Sequence, residues 1–259
     1  YFRHSNDSTL MQGLKPQLDQ LFKYLQDNLV AADRHIIARN PHDYWDDYVP
    51  EINVSQVKYE SMVDVLWIYA LENIIPVYRS LGDTVRVAFA VNALSLLTAG
   101  LEDYRRANGG LDYAIKPDGS IYDTVLTVPA NIFAAWMLND KDCFNWLKSR
   151  TAIAALGGLG LQLDYAVGFS QTSSGKARKM DIWFPHLCLI AMLAAEEGDL
   201  KPMKILLDSF PFGALPEYVK ADILKGNRLG YLGGAWSFSW SYASYIEMMN
   251  RLFLVSGGK

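Results

Sequence analysis

Apolar residues recur along this chain at three- and four-residue spacings, the period of an amphipathic helix. From Pro16 to Arg34 the series Leu18, Leu21, Phe22, Leu25, Leu29 and Val30 marks one helical face. A second run follows Ser55, a residue able to cap it, and continues through Val, Leu, Trp and Tyr toward Arg79. Pro76 is predicted to kink or shorten that helix near its end. After Gly82-Asp83 a third run extends from Val85 through Leu97 to Arg106, closed by Asn108-Gly109-Gly110. It is apolar on nearly every side, which predicts burial on most of them.

The middle of the chain is less regular. Leu111–Tyr122 carries the turn signal Pro117-Asp118-Gly119-Ser120 between short extended pieces. Further helices are predicted at Val128–Leu138, near Cys143–Leu147, and at Trp183–Glu197, Leu200–Phe210 and Phe238–Leu254. Gly157–Gly175 reads as a glycine-rich surface loop, and Gly198-Asp199 as a tight break between helices. The pattern predicts about eight helices, almost no strand and no repeat of fixed period. Helix pairs joined by short turns imply an all-α architecture of antiparallel hairpins, a bundle or an α/α toroid. Nothing resembles an interdomain linker, so a single domain over residues 1–259 is expected.

Composition narrows the function classes. With 51% hydrophobic and 20% charged residues the chain can bury a large core, which excludes disorder. A net charge of −4, with Lys and Arg scattered, argues against nucleic acid as the main partner. Two cysteines, Cys143 and Cys188, exclude a disulfide scaffold and leave either one bridge or two buried thiols. The most apolar stretches are Val85–Leu101, interrupted by Arg86 and Asn92, and Thr151–Phe169, interrupted by glycines and Asp164. Neither offers the ~20 uninterrupted apolar residues of a bilayer crossing, so no membrane span is predicted. A start at Tyr1 implies N-terminal processing or a piece of a longer chain. Together with the sequons at Asn6 and Asn53 and a Cys143–Cys188 bridge, if formed, it favours export or the cell surface over the cytoplasm.

Four clusters could carry chemistry. In Asp43-Tyr44-Trp45-Asp46-Asp47-Tyr48, carboxylates alternate with aromatic rings. Rings stack on the apolar faces of pyranose sugars, and their apolar surroundings raise a carboxyl pKa as a general acid requires. The competing reading is an acidic cap at a helix N-terminus. Met180-Asp181-Ile182-Trp183-Phe184-Pro185-His186 opens a predicted helix, with His186 either catalytic or simply packed. Gly213-Ala214-Leu215-Pro216-Glu217-Tyr218 presents one carboxylate after a proline, in a loop or as a charge at a helix N-terminus. Gly233-Gly234-Ala235-Trp236-Ser237-Phe238-Ser239-Trp240-Ser241-Tyr242 combines two glycines with rings and hydroxyls, as a sugar-lined cleft would. A Walker-type phosphate loop, a dinucleotide fingerprint and a Gly-x-Ser-x-Gly elbow are all absent. His4, His35, His42 and His186 lack metal-ligand spacing, so no metal site is predicted.

The ordered set Asp181-Ile182-Trp183-Phe184, Ala194–Leu200, Leu215-Pro216-Glu217 and Trp240–Ile246 resembles the C-terminal half of a glucoamylase-like catalytic domain, glycoside hydrolase family 15. Partial similarity extends over Pro41–Leu254 and includes the Tyr113–Tyr122 loop. The resemblance implies a six-hairpin α/α toroid and an inverting glycosidase acting on α-linked glucans without a cofactor. It puts Glu217 in the role of general base and Asp46 in that of general acid, with Trp45, Asp47, Trp183, Trp236 and Trp240 contacting carbohydrate. The family carries Glu at the acid position, where this chain has Asp46, one methylene shorter. It also has twelve helices and a Trp-Arg-Asp substrate motif with no clear match here. These departures imply a second reading, a catalytically silent relative that binds glycan or serves in an assembly, with a further chain or subunit completing the toroid. A helical protein-interaction domain without a sugar site is a third. Trp236 and Trp240, four residues apart, would share one face if that segment is helical, and at least two of the four tryptophans are expected to line a cleft with Glu217.

Overall fold

A computed structural model describes residues 9–37, 57–122, 128–149, 181–209, 215–220, 232–236 and 239–255. Among them are eight α-helices and eight short strands, and the structure is mainly helical. The chain divides into two compact units, the first built from residues up to Asp123 apart from Tyr44–Ile52 and Asn108–Gly110, and the second from those two segments and Thr124–Lys259.

In the first unit, α1 (Thr9–Asn28) turns Phe22 and Leu25 into the core. The helix begins seven residues before Pro16, and the proline sits within it. Proline removes one backbone N–H and crowds the preceding turn, which is tolerated here because Pro16 lies on the exposed side, where water can serve the freed carbonyl. The helix also stops at Asn28, short of the predicted Arg34, because residues 29–36 fold into a hairpin. Strand β1 (Leu29–Val30) pairs antiparallel with β2 (His35–Ile36). The turn between them places Arg34 in the left-handed region at φ 65°.

Strand β3 (Tyr59–Glu60) leads into α2 (Ser61–Ser80), and Leu81-Gly82-Asp83 connects it to α3 (Thr84–Gly100). Gly82 takes φ 72°, which a side chain would strain, and the Asp83 carboxylate caps α3 by accepting from the Arg86 N–H at 3.1 Å. Pro76 again lies inside a helix without ending it. The two helices pack as a hairpin, as the spacing predicted. With the 3-10 turn Leu101–Tyr104, α3 forms a helical run of 21 residues, long and apolar enough by length and composition to cross a membrane. Against the burial on most sides that its composition predicted, only one stripe of α3, Ala90, Ala93, Leu97 and Gly100, is buried, and Val85 and Val91 are exposed. Strands β4 (Ala114–Ile115) and β5 (Ile121–Tyr122) extend β3 into a three-stranded sheet, with Tyr59 opposite Ile115 and Ile115 opposite Ile121. The predicted turn at 117–120 joins β4 to β5, with Gly119 at φ 83°.

In the second unit, α4 (Val128–Met137) and α5 (Lys141–Ser149) form a helix pair. Helix α6 (Phe184–Glu196) is followed, after Gly198 at φ 89°, by α7 (Lys201–Ser209), and α8 (Ser239–Val255) comes last. The central element is α6, which touches α4, α7 and α8. That position explains its composition: Leu187 through Leu193 are all buried, so the helix is apolar around its whole circumference. Cys143 and Cys188 are buried thiols not joined in a disulfide, and burial pushes the Cys188 thiol well up. Strands β6 (Asp181–Trp183), β7 (Pro216–Lys220) and β8 (Leu232–Trp236) form an antiparallel sheet with β7 in the middle.

The strands are the main departure from the expected pattern. Most are two residues long, too short to display alternation, and β8 contains Gly233 and Gly234, which carry no apolar signal. The β1–β2 and β4–β5 ladders are local hairpins, whereas β3 with β4 and β6 with β7 pair segments far apart in sequence.

Candidate functional site

The residues singled out in the sequence fall in different places. Trp45, Asp46 and Asp47 lie outside the described residues. Trp183, predicted to open a helix, ends strand β6, and Phe184 starts the helix. Glu217, expected in a loop or at a helix N-terminus, lies within strand β7. Trp236 ends β8, whereas Trp240 lies in the first turn of α8. The helical face expected to join Trp236 and Trp240 therefore does not exist, because the chain changes from strand to helix between them.

The backbone pairing gathers three of these residues in another way. Glu217 sits between Pro216, whose partner is Trp236, and Tyr218, whose partners are Trp183 on one side and Gly233 on the other. The register shifts at this point, so that Gly234 and Ala235 of β8 together face the single residue Glu217. Such a bulge bends a strand and commonly occurs beside active sites, where it redirects a side chain. Just before β7, the Leu215 N–H donates to the Tyr242 hydroxyl at 3.4 Å, tying the strand to α8.

The first unit contains a polar pocket of about 570 Å³ whose side chains were not predicted from sequence. Its walls come from the β1–β2 turn, from residues Lys58 and Tyr59, and from the 115–121 hairpin, with Asp103 at the end of the long helical run. At its base, His35 is 2% exposed and Asp64 fully buried. The His35 Nδ1 lies 2.8 Å from Asp64 Oδ2, which also accepts from the Tyr104 hydroxyl at 2.9 Å. Asp64 Oδ1 accepts from the Ile36 N–H at 3.0 Å. Burial pushes the Asp64 carboxyl up, and these donors oppose that shift. The other ring nitrogen, Nε2, lies 3.3 Å from Asp103 Oδ2, and Arg34 binds both oxygens of Asp103 at 2.9 Å. A carboxylate thus faces each end of the imidazole, and the ring is edged by Tyr59 and Tyr104, with centroids at 4.8 and 5.0 Å.

At the pocket wall, the Tyr59 hydroxyl makes a short hydrogen bond to Asp33 Oδ2, which also accepts from Lys58 Nζ at 2.9 Å. The Tyr59 hydroxyl and the Lys58 ammonium hold the Asp33 carboxyl below the usual range. Burial of Tyr59, followed by its hydrogen bond to Asp33, raises the phenol, so Tyr59 stays a proton donor. Gly100 makes the geometry possible: a Cβ there would run into the Arg34 carbonyl oxygen and come within 3.0 Å of His35 Cε1.

The sequence analysis weighed His35 only as a metal ligand, a role that the histidine spacing did not support. A better signal was available in Met62-Val63-Asp64-Val65-Leu66, where a carboxylate interrupts an apolar helical run and needs a buried partner. No model of a known protein family matches the chain, and a search of curated proteins finds no match.

Proposed function

We propose that this chain is a glycoside hydrolase acting on α-linked glucans or related oligosaccharides, folded on an α/α toroid plan that a further chain or subunit completes. One observation carries the reading: Glu217 lies in the central strand of a three-stranded sheet, at a register shift opposite Gly234 and Ala235, and the two flanking strands end in Trp183 and Trp236. A carboxylate at a bulge, in a sheet whose neighbouring strands carry tryptophans, has the composition of a sugar-hydrolysing centre. In the mechanism, Asp46, kept protonated by its aromatic sequence neighbours, donates to the leaving glycosidic oxygen. Glu217, ionised, takes a proton from a water that attacks the anomeric carbon from the opposite face. The carboxyl groups then stand roughly 6.5–9.5 Å apart, leaving room for that water. The chemistry draws on no metal or organic cofactor, and the protein works outside the cell or at its surface.

Asp46 supports a second reading, since it is one methylene shorter than the Glu of the family it resembles and catalysis is sensitive to small displacements. In that case the chain binds glycan without cleaving it. Incubation with maltooligosaccharides, starch and trehalose, read as glucose release, separates the two readings. Hydrolysis that falls at least ~100-fold in Glu217→Gln and in Asp46→Asn supports the enzyme. Binding of these glycans without any release supports the silent relative.

A further inference from the structure

We propose that the pocket of the first unit binds a neutral polyhydroxylated ligand, a sugar or polyol, gripped by Asp33 and Lys58. No residue of this pocket belongs to the second unit, so the inference stands apart from the reading of Glu217.

Three costly features converge on the cavity. Arg34 holds a left-handed backbone that non-glycine residues seldom adopt, and strain of this kind concentrates at binding sites. His35 is almost completely buried, with its ring fixed between Asp64 and Asp103. The tyrosine of the Asp33–Tyr59–Lys58 cluster packs against that same ring. A chance groove between loops would need none of these, and a volume of about 570 Å³ suits a small molecule.

The lining chemistry selects the ligand class. Beside His35, the carboxylates of Asp33, Asp103 and Asp118 face the cations of Arg34, Lys58 and Lys116, so the walls mix both signs and favour no single charge. Four of these charges are already paired, Arg34 with Asp103 and Lys58 with Asp33. An anion would meet three carboxylates, and an apolar ligand would have to strip water from all six charged groups. A hydroxylated ligand meets neither obstacle. Both contacts to Asp33 fall on Oδ2, which leaves Oδ1 available as an acceptor, and Lys58 Nζ has protons beyond the one that it gives Asp33. Acceptor and donor side by side match a pair of neighbouring hydroxyls, each able to give one hydrogen bond and accept another. Ile115, Pro117 and Ile121 supply an apolar wall for the C–H face of a ring.

Isothermal titration of the intact chain with maltotetraose, glucose, myo-inositol and inorganic phosphate tests the assignment. Saturable binding of at least one of the three hydroxylated probes is expected, at least tenfold weaker in Asp33→Asn and in Lys58→Met and retained in Glu217→Gln. Lys58→Met keeps the test decisive if Asp33→Asn fails to fold, because it keeps the length of the side chain and leaves Tyr59 to hold Asp33. Four results would overturn the proposal: no saturable binding of any hydroxylated probe, tighter binding of phosphate, affinity unchanged in Lys58→Met, or affinity lost in Glu217→Gln alone.

Discussion

His35 and Asp64, 29 residues apart in sequence, meet through an Nδ1–Oδ2 contact of 2.8 Å in the interior of the first unit. This contact joins the hairpin after α1 to the first turn of α2, and Tyr104 joins the end of the helical run that follows α3 to the same carboxylate. Three segments therefore depend on one side chain. Asp64→Ala strands the Ile36 N–H, the Tyr104 hydroxyl and the imidazole without their acceptor. A loss of about 3 kcal/mol is expected, because each buried unsatisfied donor costs ~1–3 kcal/mol and the site relaxes in part. Tyr104→Phe removes a single hydrogen bond and should cost about 1 kcal/mol. Urea unfolding checks the ranking, and equal stability of Asp64→Ala and wild type would contradict the network.

Gly100→Ala sets two effects against each other. Alanine gains up to ~1 kcal/mol of helix propensity over glycine, less at a helix end. The added Cβ meets the Arg34 carbonyl and the His35 ring, and overpacking of this kind costs about 1–3 kcal/mol. The backbone cannot retreat without disturbing the buried ring, so the clash wins. A lower Tm is expected; a higher one would show that the turn does not press on α3.

Far more of the helices than of the site could be read from the sequence. The α2–α3 hairpin, the breaks at Gly82 and Gly198 and the turn at 117–120 each rest on local chemistry, a left-handed glycine or an apolar period, and each is found in the structure. Pro16 was a misleading local signal, because a proline on the exposed side of a helix need not begin it. The His35–Asp64 pair left almost no local trace, since its meaning lies in a contact between distant segments. At least two of Trp45, Trp183, Trp236 and Trp240 were expected to line a cleft with Glu217, partly on a helical spacing of Trp236 and Trp240 that does not occur. Trp183, Glu217 and Trp236 instead lie on three adjacent strands of one sheet, whose register cannot be read from any one of them.

The Asp33 cluster should give stability a pH dependence. Its carboxyl is held below the ordinary value of 3.8 by the Tyr59 hydroxyl and the Lys58 ammonium. A depressed folded-state pKa stabilises the protein above the unfolded value, and that contribution is lost as pH falls from about 3.8 through the folded one. Asp33→Asn should therefore show a flatter loss of stability below pH 4 than wild type. Unfolding curves between about pH 2.5 and 6 provide the measurement, and parallel profiles would contradict the assignment.

Removal of the α3 cap offers a smaller effect. In Asp83→Ala the Arg86 N–H loses its acceptor and the Lys15 and Arg86 side chains lose an ionic partner. A cost of about 1 kcal/mol is expected from the cap. Asp83→Asn should recover much of it, since asparagine caps comparably. An Asn variant as unstable as the Ala variant would assign the effect to the ion pairs instead.

The most direct test of the glycosidase reading is proton NMR of maltotetraose hydrolysis at early times. Attack by a water that Glu217 activates on the face opposite the leaving group converts an α-linkage into β-configured product. The wild-type protein should release the β-anomer first, before mutarotation, and Glu217→Gln should release none on the same timescale. First appearance of the α-anomer, or wild-type rates in Glu217→Gln, would contradict the account.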